Sequence, residues 1–366
     1  MFYVKKQSDN YFCNYSRTIL IVFSFLYLVF PLFIQPIVGE NFYIYSYYQY
    51  KVTCYSLLFF VGVVLLICNL SHCISKHAYV SCPLPDKTSL KFFYWLNILY
   101  FIKMILHGIP LKLAGASREE LLMSISSQLI TGYGYVLLLA CISLLCLKNQ
   151  KYIIIFALCC LCLDIIYQGK IFSSYLIMLL MFYLDNLRIK MSMRKLLLIG
   201  VLGFSFIFTI FTLRALSSGG FFLVDVYSIF SEFMGVNATI GWGYEYNMAN
   251  SPMALTNFDT ILQDFYIADV GHGLALSPVA YFIGNFGNKY LFISVLFFVF
   301  IAVLYGISSM IIGRYALLVF MYDYLHFMRH GPDLFLLKSI THLSFLIIIL
   351  CIFQNYKNNK HKFLEY

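Results

Sequence analysis

Residues 290–311, "YLFISVLFFVFIAVLYGISSMI", contain no charged side chain. An apolar run of about 20 residues matches the hydrocarbon thickness of a bilayer. In lipid, every backbone polar group of such a run must find its partner internally, so it folds as a helix. About ten runs of this kind punctuate the chain, given the ~20 residues that one crossing needs. They lie at roughly 18–38, 52–70, 91–107, 126–147, 151–167, 170–184, 195–213, 290–311, 314–328 and 336–353. Hydrophobic residues make up 61% of the 366 and charged residues only 11%. A soluble domain carries about 25% charged residues, so the expected class is an all-α integral membrane protein with about ten transmembrane helices.

The formal net charge of +9 could point to nucleic acid, but the placement of the cations argues for a membrane orientation instead. Lysine and arginine concentrate in cytoplasmic loops. Alternating the spans puts sixteen of the 25 basic residues on one side, including Lys5, Lys6, Lys76, Lys87, Arg188, Arg194, Arg314 and Lys357. Eight fall on the other side: Lys51, Lys112, Arg118, Lys170, Arg214, Lys289, Arg329 and Lys338. Lys103 falls inside a span. This bias predicts that both termini are cytoplasmic. The first span is too long for a secretory signal and has no A-x-A-like cleavage site, so it reads as a retained anchor. Cys13, Cys73 and Cys82 fall on the cytoplasmic side and the other cysteines within or at the ends of spans, which leaves no external disulfide framework. "CCLC" at 159–162 sits in mid-span without a polar partner and reads as helix packing.

Three regions follow: an N-terminal bundle over 1–213, one large external loop over 214–289, and C-terminal helices with a tail over 290–366. The loop holds Asp225, Glu232, Glu245, Asp259, Asp264 and Asp269. It is far longer than a connection needs to be, and long ordered loops carry function. In "FFLVDVYSIFSEFM", Asp225, Ser228, Ser231 and Glu232 recur at helical spacing, which predicts an interfacial helix; a short further span competes. The next segment, "GVNATIGWGYEYNMANSP", is rich in turn formers and is expected not to continue that helix. "GHGLALSPVAYFIGNFG", 271–287, is expected to be non-helical backbone whose glycines admit close approach.

Other external features carry chemistry. "LAGASREELLMS" places Arg118 at a helix start, with Ser117 as its cap and Glu119 and Glu120 in the first turn. "YQGKIFSSY" puts Lys170 in a tight turn. "FMRHGPDLF" puts Arg329 and His330 at the outer end of the ninth span. Asp323, His326 and His330 then share one helix face, either as a structural Asp–His pair or as a functional site. Lys103, Asp164 and His342 are lone residues near span ends, and snorkelling or packing accounts for them. There is no P-loop, G-x-G-x-x-G, D-x-D or H-E-x-x-H, so neither a nucleotide-driven pump nor a metal site is supported. No pair of broken spans repeats across the halves as in an inverted-repeat transporter.

The layout of many spans, cytoplasmic termini and one late external loop resembles the O-antigen polymerases (Wzy type) of Gram-negative bacteria. "GHGLALSPVAYFIGNFG" is similar to a segment of that family, G-x-G-x-x-x-S-P-x-x-E-x-x-x-N-F-G, with Tyr281 where an acid often stands. "YQGKIFSSY" resembles a family turn, G-S-R-G, with Lys170 for the arginine, and "SREE" is similar to an earlier periplasmic arginine segment. The resemblance implies a bundle like those of the GT-C transferases, in the bacterial inner membrane, with the large loop periplasmic. It implies a glycosyltransferase that needs neither metal nor cofactor and moves a growing glycan between undecaprenyl-diphosphate carriers. The implied partners are the carrier-linked donor and acceptor, membrane lipids and a chain-length regulator protein, with no nucleic acid. Arg118, Arg214 and Arg329 would stabilise the leaving diphosphate. His330 is favoured as the base, paired with Arg329. His272, Gly271, Gly273, Lys170, Glu232, Asp323 and His326 would contact substrate. An O-antigen ligase or a carrier-lipid oligosaccharide flippase is the competing reading.

Overall fold

A computed structural model describes residues 14–38, 49–76, 87–117, 133–147, 149–169, 171–186, 226–249 and 276–363, with isolated positions between 120 and 212. For 226–232 and 353–363 it describes the helix path alone. The described chain is helical: α1 (Asn14–Leu28), α2 (Phe30–Val38), α3 (Gln49–Lys76), α4 (Lys87–Leu113), α5 (Tyr133–Leu147), α6 (Gln150–Ile166), α7 (Ile171–Asn186), α8 (Val226–Ala249), α9 (Pro278–Phe286), α10 (Tyr290–Ile312) and α11 (Tyr315–Phe363). Among the described residues, four helical stretches are long and apolar enough to cross a membrane: Lys51–Ser75, Lys87–Leu113, Pro278–Ile312 and Tyr315–Ile352.

Their polarity is that of a membrane protein. On α10 the exposed side chains include Phe292, Val295, Val299, Val303, Ile307 and Met310, a continuous apolar stripe at helical spacing. The buried face of the same helix holds Ser294, Tyr305, Ser308 and Ser309 beside Phe298 and Ile301. Water would reverse that arrangement; hydrocarbon favours it, because polar groups then find partners inside the protein.

The helices form two compact units. One comprises residues 83–225 and 348–366. In it α4 packs on α5 and α6, and Tyr167 Oη donates to Met104 O at 2.9 Å. Gly108 makes this approach possible, since a Cβ there would lie 2.8 Å from the Tyr167 hydroxyl. Asp164 is fully buried and accepts from the backbone N–H groups of Phe172 (3.2 Å) and Ser173 (2.6 Å), so it serves the start of α7. Ser117 and Glu120 close a reciprocal capping box: Ser117 N donates to Glu120 Oε2 at 2.7 Å and Glu120 N to Ser117 Oγ at 3.3 Å. Cys159 and Cys160 are buried in packing on α6.

The other unit comprises residues 1–82 and 226–347 and holds the polar interior. Ring pairs Tyr55–Tyr290 (4.6 Å) and Phe59–Phe298 (5.2 Å) show α3 and α10 running in the same direction. Pairs Phe297–Phe327 (5.9 Å) and Tyr305–Phe320 (5.2 Å) show the first part of α11 running back along α10. At Gly331 (φ 82°, ψ −178°) the chain leaves helical geometry, followed by Pro332. Phe327 and Phe335 then meet at 5.1 Å on opposite sides of that break. α11 is therefore two arms of an antiparallel hairpin, which agrees with the ninth and tenth runs being separate. The starts of α3 and α10 and the Gly331 tip share one end of this unit.

Two expectations are corrected here. "GVNATIGWGYEYNMA" does continue the helix, because α8 runs unbroken from Val226 to Ala249. Gly243 serves packing rather than a turn: a Cβ there would lie 2.8 Å from Ala280 O, so α8 and α9 touch backbone to backbone. Similarly, most of 271–287 is not open loop. Ser277 accepts from Val279 N at 3.3 Å as an N-cap, Pro278 occupies the first turn, and α9 follows with Pro278–Asn285 buried.

Candidate functional site

The polar interior of the hairpin builds outward from its deepest pair. Asp323, fully buried on the first arm, lies eight residues before Gly331, or about 12 Å below the tip at 1.5 Å per residue. Its Oδ1 meets His342 Nδ1 of the second arm at 2.6 Å. Tyr305 of α10 donates to Ser339 Oγ at 2.7 Å and reaches Asp323 Oδ2 at 3.5 Å. Asp323, His342, Tyr305 and Ser339 are thus one network, buried between three helical segments. One turn nearer the tip, Lys338 Nζ lies 2.9 Å from His326 Nε2 and 3.2 Å from Nδ1. The rings of His326 and His330 are 5.8 Å apart, inclined by 30°. Arg329 and His330 occupy the tip itself, half-buried.

The tip is held by the end of the glycine-rich segment. Leu276 and His330 form a parallel backbone bridge, and the next residue, Ser277, donates its N–H to Thr239 Oγ1 of α8 at 3.0 Å. Gly331 faces the Tyr281 ring of α9, where a Cβ would come within 3.4 Å of Cδ2. Two stretches picked out separately in the sequence, "GHGLALSP" and "FMRHGPD", therefore meet.

Sequence reasoning placed Asp323, His326 and His330 on one face, and the face exists. The pairing within it is different. Asp323 pairs with His342 across the hairpin, and His326 pairs with Lys338, so Asp323 does not serve the histidine stripe directly. His342 is accordingly no snorkelling residue. Lys338 and Tyr305 were missed as well: Lys338 meets His326 only after the chain reverses at Gly331, and Tyr305 meets Asp323 only because α11 runs back along α10. The Gly331–Pro332 dipeptide was the available signal: reflection about it pairs 323 with 340 and 326 with 337, within two residues of the observed partners. Tyr281 is buried and packs against the tip. Glu232 lies on α8, with its helix path alone described. Arg118, Lys170, Arg214, Gly271, His272 and Gly273 lie outside the described residues. Among the described residues, no cluster of histidine, cysteine, aspartate or glutamate has the makings of a metal site.

No family model, curated protein or solved structure matches this chain.

Proposed function

We propose that this chain is an O-antigen polymerase, joining undecaprenyl-diphosphate-linked oligosaccharide repeat units at the periplasmic face of the bacterial inner membrane. One observation carries the reading. The end of the glycine-rich segment and the Arg329–His330 tip, both singled out for this chemistry, are joined by the Leu276–His330 bridge. The finer topology belongs to the same proposal: about ten spans, cytoplasmic termini, and the 214–289 region and hairpin tip on the periplasmic side.

The chemistry asks for few parts. An acceptor hydroxyl loses its proton to a base as its oxygen attacks the donor sugar's anomeric carbon. The bond from that carbon to the diphosphate breaks, and its electron pair stays with the diphosphate. His330 takes the proton, and the Arg329 guanidinium offers a planar donor fork to the developing negative charge. Arg118 and Arg214 are proposed to add to that charge stabilisation, with Lys170, Glu232, Gly271, His272 and Gly273 contacting glycan or carrier. The lipid diphosphate is its own leaving group, so the reaction asks for no metal-bound nucleotide. A chain-length regulator protein is the proposed protein partner.

The test is the lipopolysaccharide banding pattern of a deletion strain. Polymerase function predicts loss of the ladder with the core-plus-one-repeat band retained. Loss of every capped band would instead assign the chain to ligation or to carrier-lipid transport.

A further inference from the structure

The hairpin contains a contact that the chemistry above leaves unused, between Lys338 and His326. An ammonium has donors and no lone pair, so the ring must accept, and His326 is a neutral imidazole in this arrangement. The two ring nitrogens point in diverging in-plane directions, and in a neutral ring only one of them carries a lone pair to accept with. A donor within 2.9 Å of one and 3.2 Å of the other is aligned with neither. An off-axis bond to a neutral ring holds a full cation weakly. The Asp323 carboxylate is one layer deeper and already engaged by His342 at 2.6 Å. Lys338 itself is only half-buried, whereas His326 is 6% exposed and Asp323 0%. The cation therefore sits at the rim of a buried ladder on a flexible stem, directly beneath Arg329 and His330.

We propose that Lys338 is a partner-switching cation: a diphosphate group arriving at the Gly331 tip draws its ammonium off the His326 ring and onto the diphosphate oxygens. The identity of the anion rests on the polymerase reading; the switch itself rests on the contact. In the resting protein Lys338 caps the His326 ring. With donor bound, two charge-assisted bonds to diphosphate oxygens replace one bond to a neutral ring. The leaving diphosphate, now more negative, keeps Lys338 beside it while the hydroxyl proton rests on His330. Each proton and charge is accounted for: the hydroxyl proton ends on His330 and the negative charge on the diphosphate.

The experiment uses the full chain in nanodiscs with ¹⁵N-labelled histidine, the His326 ring signals being assigned by their loss in His326→Asn. Undecaprenyl diphosphate should shift those signals. Lys338→Met should show the shifted position without ligand. Unchanged His326 signals at saturating undecaprenyl diphosphate overturn the switch. Inorganic pyrophosphate and phosphatidylglycerol nanodiscs are parallel arms. A shift with pyrophosphate supports recognition of the diphosphate alone, and an equal shift with phosphatidylglycerol alone overturns it as a donor sensor. Lys338→Met should weaken undecaprenyl diphosphate binding about 10- to 100-fold, as expected for losing a hydrogen bond to a charged group, and Lys338→Arg should recover most of it. Neither readout requires turnover. A diphosphate-driven shift in a protein that makes no polymer overturns the polymerase reading and keeps the switch. Normal polymer from Lys338→Met, with no shift in the wild type, does the reverse.

Discussion

Asp323 and His342 are 19 residues apart in the chain, and their side chains meet at 2.6 Å. In a continuous helix they would be separated by about 28 Å. The contact therefore requires the reversal at Gly331, and in return it ties the two arms together well below the tip. A carboxylate buried in a bundle interior is costly unless it is paired and hydrogen-bonded. Here Asp323 has His342 on one oxygen and Tyr305 near the other.

Removing one partner leaves the other stranded. His342→Ala should destabilise the detergent-solubilised protein by about 3–5 kcal/mol, the usual cost of breaking a buried pair. Asp323→Leu combined with His342→Leu should cost clearly less than the sum of the single changes, because the contact is shared. Thermal unfolding of the wild type, the two single leucine variants and the double variant measures this. Strict additivity would show that the pair does not clamp the hairpin.

Gly331 makes the reversal possible. With φ at 82° and ψ at −178° it occupies a region essentially reserved for glycine. A side chain there would also come within 3.4 Å of Tyr281. Gly331→Ala should cost about 1–3 kcal/mol from the backbone alone and should loosen the Leu276–His330 bridge. The expected result is a lowered unfolding temperature together with shortened or absent polymer. Wild-type values for both would mean that the tip tolerates another conformation.

The class of this protein was legible because a bilayer imposes one rule on every span: an uncharged run such as 290–311 has to be a helix. Individual features with local partners were legible too. The Ser117–Glu120 capping box follows from four consecutive residues. Features settled by a distant partner were not. Gly243 of α8 looks like a turn residue in the sequence, and only the backbone of Ala280 shows that it permits close packing. The same holds in the site. Helical spacing put Asp323 and His326 on one face but could not reveal that each pairs across the hairpin, with His342 and Lys338.

Orientation can be tested without any assay of activity. The basic bias predicts that the 214–289 region and the hairpin tip share the periplasmic side, opposite the C-terminus. Alkaline phosphatase fused near Asn250 should be active, and the same reporter after Asn358 should be silent. The reverse pattern would place Arg329 and His330 in the cytoplasm and remove them from a periplasmic transfer reaction.

Arg329 and His330 are neighbours with different proposed tasks, so their variants should fail differently. Arg329 is asked to stabilise charge that grows as the diphosphate departs. Loss of one such oriented donor costs on the order of 100- to 1000-fold in rate, and lysine, a point charge without the planar fork, should rescue Arg329→Ala only weakly. His330 is asked to accept a proton. His330→Ala should lower turnover, leave carrier binding near normal, and flatten the acid limb of the pH–rate profile, since the group whose protonation switches the wild type off is gone. Arg329→Lys should lower turnover while keeping that acid limb. Both are measured as polymer length and initial rate with purified carrier-linked repeat units across a range of pH. A His330→Ala protein that retains the wild-type acid limb would show that the base lies elsewhere, and His272 would then be the next residue to change.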